Sequence, residues 1–369
     1  RHSKMKIKRS TKSSTKFMTH KKRILLNTVM DEYSRLVNLF IAMFWEQSLL
    51  LKDLTKGITN IPDSWLSARM RQCAAREALG MVNGAKEKAK VREEGALRPL
   101  HTGKKMTLSA QIAAIQEGRN SFDLWIVLSS IGEGIQLKIP LKRHRHFNLF
   151  KDWNRATTIV VHRRYIQFSF ETETGAKVTE GQVVGVDVGI NHLLASSQGE
   201  LLGEEVKPLI DSIKRKQQNS KGYIRAKKTL SYYLHKVVKA FFEAHPSLRL
   251  VVVEKLQALK QGKQPNRGKA FRKTLSHWNY RELLNIVEMR AEENRVSFRS
   301  VNPYKTSQQC PHCSHIERGN RVTEKFQCLK CGYSNQADIV GSLNILTRFT
   351  TGRYGAGFKT EPILLNTIG

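Results

Sequence analysis

Cys310-Pro311-His312-Cys313 and Cys328-Leu329-Lys330-Cys331, with Asp338 close behind, hold four of the five cysteines of the chain. Each Cys-x2-Cys knuckle supplies two thiolates from one tight turn, so the pair can close a tetrahedral Zn²⁺ site. Polar residues and lysines fill the gap, and Gly332 directly follows the second knuckle. His312 and His315 could replace a thiolate, but four cysteines suffice. Disulfide pairing is the other use of such cysteines; the spacing favours metal. A zinc ribbon alone serves binding and architecture equally well. Its place just before a carboxylate makes this one informative.

Outward from the ribbon, charge is the next strong signal. The 369 residues carry 63 Lys and Arg against 31 Asp and Glu, a formal net charge of +32. Such an excess is foreign to enzymes of small metabolites and calls for a polyanionic partner, of which nucleic acid is the commonest. An anionic membrane surface is the rival, but no apolar run reaches the length of a span and the basic start has no apolar signal core. Thiols spaced as metal ligands fit a reducing compartment, and a cytoplasmic location is expected. Cys73, among Ala74, Ala75 and Ala78, reads as a small buried apolar residue. The length allows two or three domains. Arg1 in place of Met suggests that the numbered chain is not a complete reading frame.

Residues 5–9 alternate apolar and basic, like a short strand. Leu26, Val29, Met30, Tyr33, Leu36, Val37, Phe40 and Phe44 recur at helical spacing. A second helix is expected from Trp65 to about Val91, capped by Pro62-Asp63-Ser64. Its basic residues, Arg69 and Arg76 among them, suit either a solvated face or one that tracks phosphates. Strands are expected over 108–115, 124–128, 135–139, 157–161 and 165–170, as in a small barrel or sandwich, with a turn at 132–134. The loop cluster Lys142-Arg143-His144-Arg145-His146, flanked by Phe147 and Trp153, could grip phosphates and bases or pack the rim. A linker is expected over 171–181. Beyond it, 183–187 reads as a buried strand ending in Asp187, and 193–196 as a second strand. A basic segment over 214–228 runs into a helix striped by Leu230, Leu234, Val237, Val238 and Phe241 and ended by Pro246. Residues 248–253 form another buried strand, capped by Glu254. A loop (261–273), a helix (275–294) and a strand (296–301) complete the region before the ribbon, and a helix over 338–346 follows it.

Asp187 and Glu254 each sit at the carboxyl end of an apolar strand, where open α/β sheets assemble their sites. Asp338 opens a helix. Three acids gathered at one sheet edge repel one another unless cations neutralise them, and Mg²⁺ prefers oxygen ligands. A pair of Mg²⁺ ions about 3.5–4 Å apart can activate water and stabilise a leaving phosphodiester oxygen. Singly, each acid could equally be a helix cap or surface ion-pair partner. Their order within a strongly basic chain favours the metal site. Arg318 and Arg321, inside the ribbon, are candidates for contact with the scissile phosphate.

The run Gly185-Val186-Asp187-Val188-Gly189-Ile190, then Val252-Val253-Glu254-Lys255-Leu256, then the ribbon and Ala337-Asp338 with Asn344-Ile345, resembles the split RuvC nuclease of TnpB proteins. These are transposon-encoded RNA-guided DNA endonucleases from which compact type V CRISPR effectors descend. Thr306-Ser307-Gln308-Gln309 is similar to the family's lead-in to its ribbon. The motif-bearing resemblance covers about the last half of the chain, residues 183–346; the amino-terminal half is only compatible with it. It implies an α+β multidomain fold: an RNase H-like (RuvC) α/β nuclease domain with an inserted zinc ribbon, and a wedge-like β-barrel interrupted by a helical recognition lobe. The implied boundaries are barrel at 1–18 and 105–178, helical lobe at 19–104, nuclease at 179–303 and 336–350, ribbon at 304–335, and a tail at 351–369. The resemblance makes Asp187, Glu254 and Asp338 the catalytic Mg²⁺ ligands and Cys310, Cys313, Cys328 and Cys331 structural Zn²⁺ ligands. Where the family often has Asn two residues after the third acid, this chain has Val340; Asn344 fits.

The implied partners are a guide RNA, transposon-derived or CRISPR RNA, and double-stranded target DNA read next to a short flanking motif. Base pairing would supply specificity, with the protein reading backbone shape. Two alternatives remain: a nuclease-inactive RNA-guided DNA-binding repressor, which should have lost an acid, and a guide-free RNase H-like nuclease or nucleic-acid-binding ribbon protein.

Overall fold

The computed structural model describes residues 5–255, 280–354 and 358–359. The chain forms two compact units, Lys6–Glu173 and a second that begins at Thr174 and also takes in Met5. The expected loop at 261–273, the start of the helix after it, Leu256, Arg1 and most of the 351–369 tail lie outside the described residues.

In the amino-terminal unit, two long helices, α1 (His20–Trp45) and α3 (Ala68–Arg92), pack side by side; the single turn α2 (Lys56–Thr59) lies between them in sequence. The apolar stripe of α1 is buried along its whole length, from Leu26 to Phe44. Thr19 caps α1 by accepting from the Lys22 N–H. Ser67, not Ser64, caps α3: it accepts from the Met70 N–H at 3.2 Å, while Ser64 donates to Glu32. The expected start at Trp65 thus falls three residues early, because two serines compete for one cap.

Strands β1 (Met5–Ser14), β8 (Tyr165–Thr174), β7 (Ile159–His162) and β2 (Lys105–Leu108) form one sheet in that order, with β6 (Asn154–Arg155) also pairing β8. A second, antiparallel sheet joins β3 (Ala113–Glu117), β4 (Leu124–Leu128) and β5 (Leu137–Leu141). One apolar core unites both sheets with the helices. The single strand expected over 108–115 is broken: Ser109 O accepts from the N–H groups of Ile112 and Ala113, turning the chain between β2 and β3. The strand expected over 165–170 runs on to Thr174, into the expected linker.

A buried carboxylate ties this unit together. Glu77, on α3, accepts from the Tyr33 hydroxyl of α1 and the Thr107 N–H of β2, both at 3.0 Å, and lies 3.4 Å from the Lys105 ammonium. Burial alone would raise its pKa; His101, Lys105, Thr107 and Tyr33 together outweigh that and hold it down at about 2. A depressed carboxylate contributes stability above its unfolded pKa, ordinarily near ~4.3, and that contribution is lost as pH falls toward the folded value. Glu77→Gln is therefore expected to destabilise the protein at neutral pH and to flatten the acid limb between about pH 4.5 and 2. Urea midpoints at stepped pH check it; an unchanged acid limb would contradict it.

The carboxy-terminal unit centres on a five-stranded sheet in the order β11 (Leu201–Leu202), β10 (Leu194–Ser196), β9 (Gln182–Val188), β12 (Leu248–Glu254), β13 (Ser297–Val301). Strands β9, β12 and β13 are parallel; β10 and β11 are antiparallel additions through tight turns. The apolar runs are buried on both faces, which is why they lack polar alternation. On one face Val184, Val186, Val251 and Val253 pack against α5 (Val206–Lys214), α6 (Lys221–Ala244) and α7 (Tyr280–Glu293). On the other, Leu250 and Val252 meet Ile345 and Phe349 of α8 (Ala337–Thr351). Helix α5 went unread in the sequence, although Val206, Leu209, Ile210 and Ile213 have helical spacing. Helix α8 runs five residues past its expected end at Leu346, stopping at Gly352 in the left-handed region, φ 63°. It lies close over β9: a Cβ on Gly185 would stand 2.4 Å from Ser342 O.

Candidate active site

Register brings the first two acids together. Val186 of β9 is paired with Val253 of β12, so Asp187 and Glu254, one residue further on, stand at the same height on neighbouring parallel strands. Since Val186 and Val253 face α5–α7, alternation turns both acids to the α8 face. Asp338 enters there in the first turn of α8, where the positive helix terminus favours a carboxylate. Gly341, one turn on, lets the helix pass over Asp187: a Cβ there would lie 2.7 Å from Asp187 Oδ2.

Burial pushes Asp187 well above the usual carboxylate range, and the charges of Glu254 and Asp338 add to the rise; Arg321 and the Val188 N–H oppose it. Burial also raises Glu254, against the Thr306 hydrogen bond and the charges of Arg348 and Arg321. Protein groups already tie two of the acids. Thr306 donates its hydroxyl to Glu254 Oε1. Arg321 Nη2 lies 2.9 Å from Asp338 Oδ1, and His192 Nδ1 lies 3.3 Å from Oδ2. Gln336 Oε1 caps α8 by accepting from the N–H groups of Asp338 and Ile339. The trio thus shares one sheet edge without closing on a single point; among the described residues only the cysteines form a tight group of metal donors. Three hard oxygen donors, two of which raise Asp187 by their charge, suit a divalent cation such as Mg²⁺.

The four cysteine sulfurs lie within 4.8 Å of one another, with Cys310–Cys331 at 3.7 Å and Cys313–Cys328 at 3.5 Å. A tetrahedron with Zn–S bonds of about 2.3 Å has edges of about 3.8 Å, so the cluster fits zinc. The knuckles share one design: Cys310 N–H donates to His315 O and Cys328 N–H to Tyr333 O, each at 2.8 Å. Buried Asn320 joins them, donating to Gln308 O and accepting from the Leu329 N–H. Burial pushes the Cys310 thiol up to about 12. Burial opposes ionisation of Cys328 as well, but the N–H groups of Cys331 and Lys330 outweigh it and bring that thiol to about 6. Four thiolates together need a cation. His315 pairs with Glu317 and His312 stacks on Tyr333, so neither sits as a fifth ligand.

The ribbon sheet, β14 (Arg321–Val322), β15 (Lys325–Gln327) and β16 (Ser334–Gln336), runs directly into α8. Val340, the departure from the family pattern, is buried in the ribbon core with Phe326. Asn344 anchors the ribbon's lead-in by donating to Thr306 O and Gln309 O, both at 2.7 Å. Arg321 reaches the acids, whereas Arg318 is exposed on a 3₁₀ turn. In the other unit, Arg69 and Arg76 lie exposed seven residues apart on one face of α3. Arg143 is paired with Glu117 at 2.5 Å; Lys142 sits over the Phe17 ring; Arg145 is exposed in α4 (Arg145–Asn148). Phe147 is core, against Phe168 and Phe170.

Sequence reading missed His192 and the Gln336 cap. His192 had a signal: it lies in the turn between β9 and β10, which returns the chain to the end of β9 that bears Asp187. The role of Thr306 was legible only as a lead-in residue. Thr306→Val is expected to cost about 1.5–3 kcal/mol, typical of a hydrogen bond to a charged group, and to raise the Glu254 pKa further. Chemical denaturation checks the first effect, and carboxyl titration followed by NMR the second.

The Cas12f1-like, TNB domain family matches residues 280–345, which span α7, the ribbon and the start of α8. The CRISPR-associated endodeoxyribonuclease Cas12f1 of Sulfoacidibacillus thermotolerans is 36% identical over 72 residues, 19% of this chain and 17% of that protein. The TnpB-like protein MJ0751 of Methanocaldococcus jannaschii is 28% identical over 127 residues, 34% of this chain and 44% of that protein. This chain thus spans less than half the length of either relative. A Cas12f1 solved by cryo-electron microscopy with single-guide RNA and target DNA shares the fold, with a TM-score of 0.57 over 89% of this chain and 83% of that one, at 13% identity. Together these similarities support a TnpB-like protein or compact type V effector of α+β architecture with a zinc-binding cysteine cluster.

Proposed function

We propose that the protein is an RNA-guided DNA endonuclease. The observation that carries this reading is the gathering of Asp187, Glu254 and Asp338, from two parallel strands and a helix N-terminus, at one sheet edge. In this reading the RuvC-like site binds Mg²⁺, as a pair of ions, through these carboxylates. Bound there, the ions would supply a water nucleophile and neutralise charge at the phosphodiester. The protein's own part is placement. Thr306 orients Glu254; Gln336, His192 and Arg321 orient Asp338; and Arg321 stands where its guanidinium could meet a DNA phosphate. The zinc is structural. The amino-terminal unit, with Arg69, Arg76, Lys142, Arg143 and Arg145 as candidate contacts, would hold guide RNA and its duplex with target DNA and read the flanking motif.

All three acids are present, which disfavours the inactive repressor. A guide-free nuclease is separated by what the protein carries. A discrete RNA is expected to copurify with it and to resist removal by washing at moderate salt. Protein that comes away free of RNA would favour the guide-free alternative.

A further inference from the structure

Between residues 212 and 242 the chain carries nine Lys or Arg and no Asp or Glu. This segment spans the end of α5 and nearly all of α6. On α6, Lys221, Arg225, Lys228, Tyr232, Lys236 and Lys239 follow one another at intervals of three or four residues. At 3.6 residues per turn they fall within an arc of about 80° and extend for about 27 Å. The arc lies opposite the buried stripe of Leu230, Leu234, Val237 and Phe241, and all six residues are exposed.

A merely solvated helix face mixes charges of both signs, because like charges three or four apart destabilise a helix by about 0.2–0.5 kcal/mol per pair. Here compensation within the helix comes only at its end, where Glu243 lies 3.3 Å from Lys239. Tyr232, 66% exposed, stands in mid-stripe with the Lys228 ammonium 5.8 Å from its ring centroid. Cations flanking an exposed ring suit a backbone with unpaired bases. A hollow of ≈ 260 Å³ between α5 and α6, lined in part by Ser212, Lys216, Arg225 and Thr229, opens beside the stripe.

We infer that the solvent face of α6 is a docking surface for the phosphate backbone of RNA. The inference rests on the RNA-guided reading and names where the nuclease unit itself holds the guide. Helix α6 packs on the sheet face opposite α8 and the three acids. A strand lying in the acid site is therefore not the one that α6 can hold, which assigns the stripe to RNA rather than to the DNA being cut.

The test replaces Lys221, Arg225, Lys228, Lys236 and Lys239 with Gln, a good helix former, leaving the buried face untouched. The probe is the copurifying RNA, resynthesised, with a duplex DNA oligonucleotide as the second arm. The salt slope of RNA binding should fall by about 3–5 and the RNA Kd should rise at least about tenfold. Complex assembled at saturating RNA should cut DNA at the parent's rate. Ultraviolet crosslinking of the unsubstituted protein should join that RNA to the peptide bearing Tyr232. An unchanged RNA slope, or weakened DNA binding with RNA binding intact, would overturn the inference. A parent protein that holds no RNA would instead sink the RNA-guided reading on which it rests.

Discussion

Asp187→Ala is expected to abolish DNA cleavage while leaving RNA bound. Loss of an outer partner of a metal ligand typically costs 10–100-fold, so loss of a ligand itself should exceed about 10³-fold. The same residue has a second signature that needs no substrate. Burial and the Glu254 and Asp338 charges hold its pKa well above the ordinary value. A carboxylate raised in the folded state contributes stability that is full below its unfolded pKa, near ~3.9, and is lost as pH climbs through the folded value. In metal-free protein this contribution should therefore fade as pH rises from acid toward neutral. Asp187→Asn, uncharged throughout, should flatten that loss and raise the melting temperature in chelator at pH 7. Parent and variant melting curves with the same pH slope would contradict the buried acid cluster.

Removing zinc is expected to stop cleavage from a distance. Cys310→Ser opens the tetrahedron, and structural zinc in small modules contributes about 10–16 kcal/mol. Two connections carry the damage to the acids. Strand β16 ends at Gln336, the residue that caps α8 beside Asp338, and β14 holds Arg321 against the Asp338 carboxylate. Metal analysis should show loss of bound zinc. Limited proteolysis should open the ribbon region, and cleavage should fall by more than about 10²-fold with RNA still bound. Full cleavage in zinc-free protein would show that the ribbon does not position Asp338.

Asp187 and Glu254 were legible in the sequence because each ends a short apolar run, and a run buried on both faces is visible without alternation. What one strand cannot show is its partner. The pairing of Val186 with Val253, which sets the two acids side by side, depends on register and emerges only in the folded sheet. Asp338 was legible through its position after the ribbon. Its contacts were not: Arg321 reaches it across the fold of the ribbon, 17 residues earlier, and His192 from a turn 146 residues away. Local competition explains the smaller misses. Ser64 and Ser67 both suit a helix cap; in the fold Ser64 accepts from the Leu66 N–H and donates to Glu32, and Ser67 takes the cap. A turn at Ser109 splits an apolar stretch that pattern alone joins.

The central claim is that RNA carried by this protein chooses where its three acids cut DNA. The direct measurement is cleavage mapping with protein assembled on two versions of its copurifying RNA that differ only in the guide segment, with Mg²⁺ present. The cut should move with the guide sequence and vanish with Asp187→Ala. A cut that stays in place when the guide changes, or that persists without RNA, would contradict the claim.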